Sequence, residues 1–391
     1  MTSARLPVAI IGAGVIGPRH ADSYAANDRV EIVGVADTAA DKADALAAAH
    51  GTRAFHSVAE LLEATAPRLV SIATPPGTHL DVAREVLASG ASIVVEKPPV
   101  LSLAELDELA DLERDSAGSV SVIFQHRFGS AAIRARELLA SGVLGRPYFV
   151  LCETSWYRPR EYFDPDWRGT WGGEGGGPTL GHGIHQIDLM LHLMGPWRTV
   201  EATTFRLDRP VEFEDLSLAT VVFENGAVGT VINSLLSPRE LSRVRFDTAA
   251  GSLEVNHLYG YADRDWTFYP APASNGAQGP RPGQGATPSR GSADIWESSA
   301  GTDVASNHEA QLTRLVDDMI AGRPHDADLE SARSTMSFVT ALYASSFTGR
   351  PIDRSDLRPG QPFYDRLDGG TPQATIDGIQ RSGRRPAGSA E

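Results

Sequence analysis

Six residues near the start of the chain, Gly12-Ala13-Gly14-Val15-Ile16-Gly17, leave it few ways to fold because of what surrounds them. They follow an apolar, β-branched run over 8–11 and open a helical pattern, so they read as the turn between a strand and a helix. Gly12 can make the tight turn, Gly14 can let backbone amides approach an anion, and Gly17 can bring helix and strand together. Further apolar runs at 31–36, 69–73, 92–96 and 120–124 alternate with amphipathic stretches. Two of these stretches open with capping-box spacing, Ser57/Glu60 and Ser102/Glu105. The alternation predicts an α/β Rossmann domain, a doubly wound parallel sheet with helices on both faces, over residues 1–127.

After Arg127 the pattern changes. A helical stretch over 130–140 leads into an apolar run at 148–156, and runs at 217–223 and 227–234 flank Glu224-Asn225-Gly226. Asn-Gly supplies the positive φ angles of a tight hairpin. With helical periodicity at 309–321 and 330–347, residues 128–366 are expected to form an α+β domain with a large, mostly antiparallel open sheet. Residues 270–303 are rich in Pro, Gly, Ser and Ala and read as a mobile loop, and the polar tail over 367–391 reads as poorly ordered. A length of 391 residues also favours two cores, and two cores supply a cleft.

Composition closes off some functions. A net charge of −15 argues against nucleic acid, which clustered Lys and Arg would have to hold. No stretch approaches the roughly 18 apolar residues of a membrane span. The start shows no signal-peptide pattern, so the expectation is a cytoplasmic protein without a membrane partner. Cys152 cannot form an internal disulfide and reads as a small buried hydrophobe.

In a doubly wound sheet, ligands bind beyond the carboxyl ends of the strands. There the chain places the glycine turn, then Asp37, then Ala73-Thr74-Pro75-Pro76-Gly77-Thr78-His79, then Glu96-Lys97-Pro98. Pyrophosphate on the glycine turn and an adenosine ribose on Asp37 make a nicotinamide dinucleotide the natural ligand, although Asp37 also fits a helix cap. Asp37 repels a 2′-phosphate and Thr38-Ala39-Ala40 offers no Arg to receive one, which favours NAD over NADP. The candidate cofactor residues are Gly12, Gly14, Val15, Ile16, Asp37, Thr74, Pro75, Pro76, His79, Glu96, Lys97 and, at the end of the last Rossmann strand, Gln125.

These segments, with Trp167-Arg168-Gly169 and the glycine-rich run from Gly175 to Asp188, resemble the glucose-fructose oxidoreductase, inositol dehydrogenase and rhizopine-catabolism family, Gfo/Idh/MocA. The resemblance extends over about 340 residues. It implies hydride exchange between nicotinamide and a hydroxyl carbon of a sugar, inositol or related polyol. It also implies a homodimer or homotetramer formed through the second-domain sheet, whose open face self-association would bury.

Hydride transfer from an alcohol needs a proton acceptor and a field that favours the developing alkoxide. A buried Lys97 can supply the field. Spacing alone fits a surface lysine equally well, but the Glu-Lys-Pro context matches the family, whose lysine touches both nicotinamide ribose and substrate. His185 titrates near neutrality and is the candidate acid/base; by resemblance it matches the family's catalytic histidine. Asp188, one helical turn on, is expected to orient the imidazole. Four residues before His185 many family members carry an aspartate that holds a substrate hydroxyl, whereas this chain has Gly181. His182 is the candidate replacement. Arg127, Trp167 and Arg168 complete the substrate candidates, since aromatic faces pack on sugar C–H faces and Arg donates to oxygens; buried structural tryptophans fit as well. His182, His185, Asp188 and His192 do not share one helical face, so no metal is expected. Two other readings follow from the same residues. One is an NAD-dependent glycosidase or lyase that oxidises its sugar transiently, and the other, motivated by Gly181, is a non-catalytic NAD sensor or scaffold.

Overall fold

The computed structural model describes residues 5–272, 296–297 and 302–383. Leu6–Ile11 (β1), Val30–Ala36 (β2), Ala54–Phe55 (β3), Leu69–Ile72 (β4), Ser92–Val95 (β5) and Val120–Val122 (β6) form one sheet. Its order is β3-β2-β1-β4-β5-β6, and every neighbouring pair is parallel. Val8, Ala9 and Ile10 are all fully buried, as a strand covered on both faces requires. The strand order reverses between β1 and β4, which opens a crevice at their carboxyl ends. Both predicted caps form: Ser57 Oγ accepts from the Glu60 amide at 3.2 Å and Ser102 Oγ from the Glu105 amide at 3.1 Å. The two-residue β3 is too short to leave a periodic signal.

The second sheet contains Pro147–Tyr157 (β7), Trp197–Phe205 (β8), Leu216–Phe223 (β9), Val228–Ser234 (β10), Leu236–Thr248 (β11), Gly251–Asn256 (β12), Trp266–Pro270 (β13) and Ile352–Asp353 (β14). Its order is β13-β12-β11-β7-β10-β9-β8-β14, antiparallel everywhere except β7–β10. The Asn-Gly hairpin joins β9 to β10, with Gly226 at φ +84°. One face buries Val150, Cys152, Val231, Val244 and Phe246 with the helices Ile184–Met194 and Leu329–Thr348. The other face leaves Leu218 and Val228 exposed and Leu151 and Ile232 half-buried. No helix among the described residues is long and apolar enough to cross a membrane.

Two expectations change. The helix His308–Ala321 does not stay with the second sheet: Leu312, Leu315 and Val316 pack with Ala21 and Tyr24 of the helix Gly17–Ala25, on the Rossmann core. The tail is not structureless to its end. Gln373–Ser382 is a helix that buries Ile376 and Ile379, one apolar stripe in an otherwise polar stretch. Most of the expected mobile loop, residues 273–295 and 298–301, lies outside the described residues, as do 384–391 of the tail. Within that loop span, however, Trp296 is buried and stacks on Trp266, ring centroids 6.0 Å apart.

Candidate active site

Each glycine of the turn is required for a different reason. Gly12 has φ +100° and a Cβ there would meet the Ala73 carbonyl oxygen at 2.5 Å, while a Cβ on Gly17 would meet the Gly12 oxygen at 2.1 Å. Gly14 faces open space, with no heavy atom within 4 Å of where its Cβ would be. That gap is what a pyrophosphate needs to reach backbone amides. Asp37 holds the turn, its Oδ2 accepting from the Ala13 amide at 2.7 Å and its Oδ1 from Ala39 at 2.8 Å.

A crevice of about 680 Å³ runs from this turn to the second sheet, within the range of small-molecule sites. Gly14, Val15, Ile16, Thr74, Pro75, Pro76, Glu96 and Lys97 line one wall, and Trp167, Arg168, Gly181, His182 and His185 line the other. One bond crosses between them: Lys97 Nζ donates to the Gly181 carbonyl at 2.9 Å. Burial pushes the Lys97 ammonium below its ordinary value, against the pull of Glu96.

His185 enters from the first turn of the Ile184–Met194 helix and is 3% exposed. Its Nδ1 is buried without a partner among the described residues, and its ring packs edge-on against His126 at 5.3 Å and Tyr259 at 5.8 Å. Burial first, then the Lys97 charge, hold the imidazole well below its usual range. A neutral imidazole beside an ammonium can accept a proton from a hydroxyl that the ammonium polarises. His182 Nε2 accepts from Arg158 Nε at 3.2 Å. Arg168 lies 4.1 Å from the Tyr162 ring centroid and 4.4 Å from that of Trp167, and donates to Glu174 at 3.1 Å.

Known proteins share this two-domain fold. Residues 6–124 match the family model described as oxidoreductase family, NAD-binding Rossmann fold, and residues 132–254 match the GFO/IDH/MocA C-terminal domain. This chain belongs to the Gfo/Idh/MocA oxidoreductase family. A D-glucoside 3-dehydrogenase of Escherichia coli (strain K12) is 30% identical over 284 residues, covering 66% of this chain and 80% of the relative. GenD2 from gentamicin A biosynthesis, solved in complex with NAD, superposes with a TM-score of 0.72 at 25% identity over 90% of this chain and 97% of that one. The WlbA dehydrogenase from Bordetella pertussis, solved with NADH and UDP-GlcNAcA, does so at 0.74 and 23% identity, covering 89% and 98%. As a member of the family the chain is an NAD-binding oxidoreductase acting on CH–OH groups, and the open glycine turn fits that cofactor.

Four candidates fall elsewhere than the sequence placed them. Arg127 does not reach the crevice: it forms a buried two-pronged ion pair with Asp188 and also donates to the Asp326 carbonyl at 3.0 Å. Asp188 therefore does not orient His185, because its carboxylate is taken by Arg127 and by Thr335 at 2.9 Å. Helical spacing gave the right turn but not the direction of the side chain. His79 bridges two loops from behind, bonding the Pro98 and Thr74 carbonyls at 3.0 and 2.9 Å. Gln125 is fully buried and donates to the Tyr259 hydroxyl.

The family pattern also left residues unseen. Trp156, Arg158, Tyr162, Tyr259 and Glu174 line the crevice without any motif to mark them. Glu214, fully buried, supports the glycine-rich segment by accepting from the Thr179 amide at 3.2 Å and the Tyr343 hydroxyl at 2.9 Å. Burial raises its carboxyl to about 7. Gly181 has nothing within 4 Å of a built Cβ, so a side chain could start into the crevice there.

Proposed function

We propose that this enzyme moves hydride between NAD and a hydroxyl carbon of a sugar, inositol or related polyol. The observation that carries this is the Lys97–Gly181 bond, which joins the two walls and sets an ammonium beside His185 at the end of a crevice that begins at the glycine turn. When bound, NAD would be held by the glycine turn and would supply the hydride acceptor. His185 takes the hydroxyl proton as the carbon–hydrogen electron pair leaves, and a carbonyl forms. Lys97, still protonated, stabilises the oxygen throughout. Running backwards, His185 returns the proton.

Arg158, Arg168 and His182 donate to the remaining hydroxyls, and Trp167 at 38% exposure offers a ring at the mouth for a sugar face. Relatives named for glucosides and inositols support this substrate class. Self-association into a dimer or tetramer would cover Leu218, Val228 and Ile232 on the open face of the second sheet. The reading is tested by following NADH absorbance against a panel of inositols, hexoses and glycosides and their keto forms. Turnover with at least one polyol class is expected. Tight NAD binding with no turnover of any CH–OH compound would contradict it.

A further inference from the structure

Beside Lys97 the fold gathers three residues that no spacing links: His20 on the helix Gly17–Ala25, Glu96 after β5, and His308 at the start of the helix His308–Ala321. All three are buried, and their ligand-type atoms lie within 4.8 Å of one another. Glu96 and His308 face the crevice. Glu96 Oε1 sits 2.9 Å from His20 Nε2 and 3.0 Å from His308 Nε2, and Oε2 accepts from the Lys97 amide at 3.2 Å.

Two histidines and a glutamate can hold zinc, but the hydrogen positions run against it. The Tyr24 hydroxyl is buried and its only partner among the described residues is Ser71 Oγ at 2.8 Å, so it donates there. Glu96 Oε1, as a carboxylate, can only accept from His20 Nε2 at 2.9 Å, which leaves His20 Nδ1 bare to take the Ser71 proton at 3.0 Å. His20 consequently carries its own proton on Nε2, where it cannot ligate a metal and donates to Glu96 instead. His308 Nε2–H donates to the same oxygen. The whole chain of groups is satisfied with one negative charge and no ion. Burial works to neutralise Glu96, yet the two donors outweigh it and hold the carboxyl well below its usual value.

We propose that this fixed charge makes the site discriminate between the redox states of its dinucleotide, favouring the oxidised form, whose nicotinamide ring is cationic, over the neutral reduced form. His20 and His308 are positioning residues that keep Glu96 ionised. The proposal rests on the reading above that puts the ring beside Lys97 and His185, the neighbours of Glu96. Its chemical sense is that hydride acceptance removes the charge Glu96 attracts, so the reduced product is held less firmly and leaves.

The test is calorimetric binding of NAD+ and NADH, each without substrate, to the wild type, Glu96→Gln, Glu96→Asp and His308→Phe, with melting curves to show that each is folded. Glu96→Gln should weaken NAD+ about tenfold while changing NADH less than about twofold, the size of one charge removed at partly screened range. Glu96→Asp should keep the preference, and His308→Phe should reduce it about threefold. Equal weakening of both forms in Glu96→Gln overturns the proposal, as does one equivalent of metal bound by the wild type and lost from that variant. Because no substrate is present, a wild type that shows the charge preference but turns over no polyol would fail the dehydrogenase reading and leave this one standing.

Discussion

The two walls of the crevice are built on opposite principles. On and behind the Rossmann wall the polar side chains are committed to the fold: Asp37 to the glycine turn, His79 to two loops, Glu96 to two histidines. On the other wall His182 Nδ1 and His185 Nδ1 are buried without partners among the described residues, and Gly181 faces open space. A cofactor is the same in every turnover and suits a finished surface. A substrate arrives and leaves, and the wall that receives it keeps hydrogen-bonding capacity in reserve.

The largest expected effects break this comparison at the bond between the walls. Lys97→Met should lower kcat by about 10³-fold or more, as losing an electrostatic stabiliser of the reacting oxygen does, while NAD affinity measured by calorimetry stays within a few fold. A comparable loss of NAD affinity would make Lys97 part of the cofactor wall only. His185→Asn should cost about 10²–10⁴ in kcat, the range of a general base. The pH profile of the wild type carries the sign: His185 must be unprotonated and lies well below the usual 6.5, so activity in oxidation is lost only as pH falls below that value. Lys97 must be protonated and is lowered from 10.5, so the alkaline loss sets in below that value. An acid limb at 6.5 or above would contradict the buried, neutral imidazole.

Much of the cofactor wall was legible in sequence because it is local: a strand, three glycines within six residues, and a carboxylate at the end of the next strand. Lys97 and His185 were legible through family context. What spacing could not reach were pairings set by side-chain direction and by chain return. Asp188 lies one turn from His185 yet turns to Arg127, and His308 returns some 200 residues later to meet His20 and Glu96. The aromatic lining from β7 and the loop after β12, Trp156 and Tyr259, carries no motif to mark it.

Smaller effects sharpen the contrast. Asp188→Asn should destabilise the fold by about 3–5 kcal/mol by leaving the buried Arg127 charge uncompensated, read by chemical denaturation, and should leave the acid limb of the pH profile in place. A shift of that limb would return Asp188 to the role of orienting His185. Glu214 is raised to about 7 in the fold, so the stability it contributes in its neutral form is lost as pH rises towards and through that value. Glu214→Gln should therefore gain on the wild type between pH 5 and pH 8, by up to about 3 kcal/mol; a constant difference across that range would deny the raised carboxyl. Gly181→Asp is the mildest change, expected to alter stability by less than about 1 kcal/mol because its space is empty. It should move the alkaline limb upward, since a carboxylate beside Lys97 favours the ammonium.

The most direct test is a crystal structure of the enzyme with NAD and a turned-over polyol. One hydroxyl oxygen of the polyol should lie within about 3.2 Å of both Lys97 Nζ and the His185 ring, with its carbon against the nicotinamide face. A polyol whose oxygens reach only one of the two nitrogens would contradict the account.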